Sequence, residues 1–274
     1  MSLWHADLNL EFARKKDSSG QTLLTNYQHS GPLLVQKPFY PEPEVCHVYL
    51  LHPPGGIAGC DRLQCTVHLQ PEAQVLLTTP GATKFYRTQG QTSEFRQCFY
   101  VDQNATLEYL PQGNIFYQGT NTLVHTHIYL TSNARFIYRD FAVIGQPLKN
   151  DNFANSSCSV KTWVYIDKRL VFMDANTIKG QEDVDAVAAL HSHPYLGTMI
   201  SNSVSEETLK KIKETAGTVS KNTLVGVSQL PKILVIRYLS NDNEEIDANM
   251  LQIWKILRPS LMHRPAVIPR IWQT

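Results

Sequence analysis

The sequence predicts a mainly β protein with about two α-helices near its C-terminus. Three observations carry that expectation. Short runs rich in β-branched and aromatic residues recur along the chain, each bounded by Gly, Pro, Asn or Asp. They follow one another at spacings of about 8–15 residues, without the helical stretches that βαβ units require. The helical signatures sit late in the chain.

The predicted strands, in order, are Val48–Leu51, Arg62–Leu69, Val75–Thr79, Phe95–Val101, Thr106–Leu110 and Ile115–Gln118. Leu123–Leu130, Arg135–Val143, Ser159–Ile166, Leu170–Asp174 and Ile233–Tyr238 follow. No fixed-length repeat is visible, so the pattern alone leaves sandwich, barrel and solenoid open. The first predicted helix starts at Ser205, whose hydroxyl suits an N-cap. Glu206 and Glu207 then meet the positive end of the dipole, ahead of Leu209, Ile212 and Lys213. The second covers Asp242–Leu257. Acids lead, Met250, Leu251, Trp254 and Leu257 make an apolar stripe, and Pro259 is expected to stop it. The tail, residues 264–274, is Pro-rich and ends in Arg270, Ile271 and Trp272. Such a tail frays or orders on a partner.

Composition narrows the function. The 274 residues carry 25 Lys and Arg against 24 Asp and Glu, a net charge of +1. That balance argues against a general nucleic-acid binder, which needs a concentrated basic excess. Charged residues are 18% of the chain, below the roughly 25% usual for soluble domains. Uncharged surface of that extent suits a partner-binding protein. The five cysteines (46, 60, 65, 98 and 158) are odd in number and form no CxxC pair. A reducing, cytoplasmic setting is expected, without a disulfide framework or a zinc ribbon. The first twenty residues lack the apolar core of a signal peptide, and no stretch reaches the ~20 apolar residues that span a bilayer.

Phosphate-loop, dinucleotide, HExxH and GxSxG signatures are absent. Two His-x-His pairs are present. His125 and His127 fall on one face of a predicted strand and could share a nickel, copper or zinc ion, or simply sit on a solvated face. His191 and His193 mimic the zinc site of JAMM-type metalloproteases, with Ser201 correctly spaced. The required Asp position is Val204, however, which cannot ligate zinc. A metal-dependent hydrolase is therefore the weaker alternative. The densest special segment is His52-Pro53-Pro54-Gly55-Gly56, running to Cys60 and Asp61. A second, Thr79-Pro80-Gly81, continues through Lys84, Tyr86 and Arg87. Both are elaborate turns, or loops holding polar groups near a passage or interface.

These two loops, with Gly31-Pro32-Leu33, Gln36–Glu42, Leu107-Glu108-Tyr109-Leu110-Pro111-Gln112 and the terminal Pro269-Arg270-Ile271-Trp272, resemble the urease accessory protein UreD (UreH) family in order and spacing. The family pattern is broken by Cys60 beside Asp61, by Gln146 in a Gly-Arg-Pro segment, and by Tyr109 in place of Trp. The resemblance implies a single domain over residues 1–274, a stacked-strand, β-helix-like fold and a non-enzymatic scaffold. Such a scaffold binds apo-urease on one side and the accessory protein UreF on the other. UreF in turn holds the GTPase UreG, which supplies nickel. No tightly bound cofactor is implied, only transient Ni2+. Candidate residues for a nickel path are Asp61, Glu108, Asp140 and Asp174. Candidates for partner contact are Trp254, Arg270, Ile271 and Trp272.

Overall fold

The computed structural model describes residues 4–149 and 152–273. Thr274 of the predicted tail and the first three residues lie outside the described residues. In chain order the elements begin β1 (His5–Arg14), β2 (Thr22–Ser30), β3 (Leu34–Val35), β4 (Cys46–Leu51), β5 (Arg62–Leu69) and β6 (Gln74–Thr78). Next come β7 (Thr83–Phe85), β8 (Ser93–Val101), β9 (Thr106–Leu110), β10 (Asn114–Phe116), β11 (Asn121–Leu130) and β12 (Arg135–Ile144). The last third holds β13 (Ser157–Ile166), β14 (Arg169–Lys179), α1 (Gly180–Asp185), β15 (Tyr195–Asn202), α2 (Glu206–Ala216), β16 (Thr223–Gln229), β17 (Ile233–Ser240) and α3 (Asn243–Met262). Strands take 47% of the chain and helices 16%, so the expected mainly β class holds.

The chain climbs by passing back and forth between two sheets. β5, β8, β11 and β13 stack in parallel in the first sheet, while β4, β6, β9 and β12 do so in the second. Short β7 and β10 make a third side that joins β12. This is the stacked-strand, solenoid-like arrangement. Its circuits are unequal: Arg62 lies beside Glu94, 32 positions on, Ser93 beside Thr122, 29 on, and Asn121 beside Ser157, 36 on. Unequal circuits explain why no fixed repeat is visible in the sequence. Antiparallel strands finish both sheets: β1 carries β2 at one edge, β14 closes the other, and β15, β17 and β16 extend the second sheet.

Two apolar layers hold the fold. The larger lies between the sheets, where alternate strand residues point inward, as in the strictly alternating burial of β1, β5, β8 and β11. The smaller lies between the outer face of the second sheet and α2 and α3. Both predicted helices have the expected caps. Ser205 accepts a hydrogen bond from the Thr208 amide, and Asp242 accepts from the Glu244 and Glu245 amides.

Several expectations need correction. Strands β1, β2, β3, β7, β15 and β16 and the short helix α1 were not among the predicted elements. Pro259 does not stop α3, which runs to Met262 and ends at His263 in the left-handed region. A proline removes one backbone donor, but Leu257, Arg258, Leu261 and Met262 are all buried and keep the last turn packed. Nor does the tail fray. Trp272 meets Trp254 edge to face, and its indole Nε1 donates to Thr78 Oγ1 at 2.9 Å. Among the described residues no helix is long and apolar enough to cross a membrane.

Candidate functional site

The two special loops meet each other. Ile57 forms a parallel bridge with Phe85, with Ile57 N donating to Lys84 O at 2.7 Å and Tyr86 N donating to Ile57 O at 2.8 Å. The Tyr86 ring lies directly on Gly56, where any side chain would collide with it. Tyr86 also stacks on Tyr117. Arg87 likewise packs on Gly119. Together the loops wall a cavity of about 240 Å³, lined by His52, Gly55, Thr79, Pro80, Gly81 and Lys84, with Tyr109 at its inner wall. Pro53 and Pro54 are exposed on the outer turn. Burial lowers the His52 pKa, and the nearby Asp61 carboxylate partly offsets that. Asp61 itself ties the loop exit, accepting from the Ala58 amide at 3.0 Å and the Trp4 amide at 3.2 Å.

Behind Tyr109 a polar row crosses the apolar interior. Strand register puts Cys65, Gln97, Thr126, Thr162 and Asp174 side by side on β5, β8, β11, β13 and β14, all facing the second sheet. A row across stacked strands runs along the solenoid axis. The second sheet answers it with Tyr109 beside Tyr138, and with Asp140, Thr198 and Arg237 in register on β12, β15 and β17. Hydrogen bonds join the rows. The Tyr109 hydroxyl donates to Gln97 Oε1, and Gln97 Nε2 donates to Thr126 Oγ1 at 3.3 Å. Tyr138 bonds Thr126 and Thr162. Asn114 Nδ2 donates to Asp140 Oδ1 at 3.0 Å, and Arg237 donates to Asp174 Oδ1 at 2.8 Å.

The electrostatics of this seam are set by burial. Burial, reinforced by the Asp174 carboxylate, pushes Asp140 up to about 6 despite the Asn114 donor. Burial likewise pushes Cys65 up to about 12 and raises Cys158. Burial thus makes these interior thiols costly to deprotonate, which weakens them as metal ligands. What the seam offers is hydroxyl, amide and carboxylate oxygen.

A family model described as UreD urease accessory protein matches residues 5–273. The chain belongs to the UreD family. Urease accessory protein UreD of Enterobacter sp. (strain 638) is 36% identical over 271 residues, spanning 99% of this chain and 96% of that protein. The UreD proteins of Citrobacter koseri and Klebsiella aerogenes are each 35% identical over 99% of this chain, covering 92% and 97% of their own lengths. Membership of this family of urease accessory proteins assigns the chain a role in urease maturation.

Within this UreD chain the sequence-selected residues separate into distinct places. Asp140 and Asp174 meet at one end of the seam, and Asp61 lies beside His52 near the loop cavity. Glu108 is not in the seam. Its neighbours Leu107 and Tyr109 point inward, so strand alternation turns Glu108 toward α3. There it accepts from Trp254 Nε1 at 2.7 Å and from Arg258 Nε at 2.9 Å. Trp254 is 2% exposed and so offers no surface to a partner. In the tail, Arg270 is exposed, while Ile271 and Trp272 are partly buried.

The two His-x-His pairs lie elsewhere. His125 and His127 occupy the outer face of β11, where His127 stacks on Trp163 at 4.4 Å and His125 meets the same ring edge-on. Burial lowers both imidazole pKa values. Among the described residues no three His, Cys, Asp or Glu side chains gather as a metal site. His191 and His193 sit before β15, and Ser201 lies near its far end. At about 3.3 Å per residue, six residues of strand put Ser201 roughly 20 Å beyond Tyr195. The hydrolase alternative therefore fails on geometry as well as on Val204. Sequence reasoning missed Gln97, Thr126, Thr162, Tyr138 and Arg237. The available signal was a polar residue at an inward position of an alternating strand.

Proposed function

We propose that this chain is a non-catalytic scaffold that carries nickel toward apo-urease through the seam between its sheets. The polar row from Tyr109 to Asp174 carries this reading. A fully apolar interior would be the default for two packed sheets, and burying polar groups costs free energy unless they are bonded. Here polar side chains line up across β8, β11, β13 and β14 and the facing strands, from Tyr109 at the wall of the loop cavity to Asp140 and Asp174 at the far end. Neutral oxygens bind a borderline cation such as Ni2+ weakly, and transit needs sites that release as readily as they bind. Buried thiols that give up a proton only at a cost fit the same requirement.

Membership of a family of urease accessory proteins supports the proposed partners. One end of the seam faces apo-urease, and the other faces UreF with UreG behind it, in the cytoplasm. The exposed Arg270 beside the docked Trp272 is the proposed point of UreF contact, since Arg is enriched at interface centres. The test is co-expression of Asp140→Ala with urease, UreF and UreG, followed by metal analysis of purified urease. The variant should co-purify with urease normally but yield nickel-poor enzyme. Full nickel loading by the folded variant would remove Asp140 from the route.

A further inference from the structure

The seam ends at an ion pair. Phe172 and Asp174 both point inward from the edge strand β14, facing Val164 and Thr162 of β13. Opposite them, Arg237 projects from β17 toward the same point. Its guanidinium donates to Asp174 at 2.8 Å and lies over the Phe172 ring at 5.9 Å. Asp174 Oδ2 accepts from Asn176 at 3.3 Å. The two partners differ in exposure: Asp174 is 13% exposed and Arg237 is 51% exposed. On its outer side Arg237 lines a groove of about 380 Å³ together with Asn176, Leu196 and Thr198. One guanidinium thus stands between the groove and the carboxylates of the seam.

We propose that Arg237 is the gate of the seam: its guanidinium holds the Asp174 carboxylate until a divalent cation takes its place. This inference rests on the seam as a nickel route and specifies how one end is closed. A largely buried carboxylate is costly without a cationic partner. Arg237 and a divalent metal ion compete for that one place, and they repel each other within a few ångströms. An exposed stem and an adjoining groove give the displaced side chain somewhere to go, and Phe172 gives it a resting face. The carboxylate is then never left bare, and monovalent ions, with half the charge, exchange poorly against the guanidinium.

Titration of nickel chloride into the purified full chain tests this without urease. Arg237→Met keeps the length of the stem and removes the competing charge. It should bind nickel about tenfold more tightly than wild type, and adding Asp174→Asn should return affinity to the wild-type level or below. Arg237→Lys, which keeps the charge, should stay within about twofold of wild type. A merely structural ion pair would lower stability in Arg237→Met without raising nickel affinity, and unchanged affinity overturns the gate. A rise in Arg237→Lys equal to that in Arg237→Met overturns it too. Nickel-poor urease from Asp140→Ala together with unchanged affinity in Arg237→Met would leave the route standing and remove the gate. Full loading by Asp140→Ala would instead remove the route.

Discussion

Replacing Arg258 with Met should be among the most damaging single changes to stability. Arg258 is fully buried in α3 and holds four parts of the molecule together. Its Nε donates to Glu108 of β9 at 2.9 and 3.1 Å, and its two terminal nitrogens grip Glu42 at 2.9 and 2.7 Å. One of those nitrogens also donates to the Pro265 carbonyl of the tail, and the cation lies over the Trp254 ring at 5.6 Å. Methionine fills most of the stem volume but leaves two facing carboxylates without their cation. Breaking a buried pair in this way costs about 3–5 kcal/mol. At roughly 2–4 °C per kcal/mol for a chain approaching this size, Tm should fall by about 6–20 °C at pH 7. The loss should shrink in acid, because Glu42 is depressed by its partners. Burial alone would raise it, but the His47 hydrogen bond and Arg258 outweigh burial and hold it at about 2, against 4.5 unfolded. That shift stabilises the fold above pH 4.5 by about 3 kcal/mol and is lost as pH falls from there toward 2. Thermal unfolding followed by circular dichroism at pH 7 and at pH 4 reads both effects. A Tm within 2 °C of wild type at pH 7 would refute the reasoning.

Other changes follow from the same structure. Asp140→Asn should stabilise the chain at pH 7.5 by about 1–3 kcal/mol and have no effect near pH 3.8. The folded Asp140 holds its proton to about 6 against 3.8 unfolded, so wild-type stability falls as pH rises between those values. Lower stability of the variant in urea melts at pH 7.5 would contradict that sign. Gly113→Ala should cost more than about 1 kcal/mol. Gly113 has a φ of +102°, and an added Cβ would stand 2.6 Å from the Phe141 carbonyl oxygen, so an unchanged melting curve would show that the turn can yield. Arg270→Glu should cut recovery of UreF in pull-downs several-fold without changing Tm, whereas equal recovery would take Arg270 out of that contact.

Much of the fold was legible because strands betray themselves locally. The run LQCTVHL from Leu63 to Leu69 alternates apolar and polar residues, and β5 forms there with that alternation of burial. The same signal was present in the N-terminal His5–Arg14, where alternation is equally regular, but its acidic outward residues disguised it. The stacking was hidden by circuits of unequal length, and Pro259 misled because tertiary burial of Arg258 and Leu261 outweighs one lost backbone donor. The seam was harder to see for a physical reason. Gln97, Thr126 and Thr162 lie 29 and 36 positions apart, and only interstrand register, fixed by the whole solenoid, brings them level. Glu108 shows the reverse case. Its flanking Leu107 and Tyr109 already placed it on the face opposite theirs, so the motif suggested a role in the path that simple alternation contradicted.

Passage of nickel along the axis is tested most directly by a plug at its midpoint. Thr126 is fully buried between Gln97 and Tyr138, and Thr126→Leu would fill the row there with hydrocarbon while leaving both ends and every charge intact. The measurement is nickel per urease active site after co-expression, compared at equal amounts of folded, urease-bound scaffold. Nickel-poor urease from a chain that still binds urease is the expected result. Urease with its full complement of nickel would contradict the account, because the ion would then have travelled by another route.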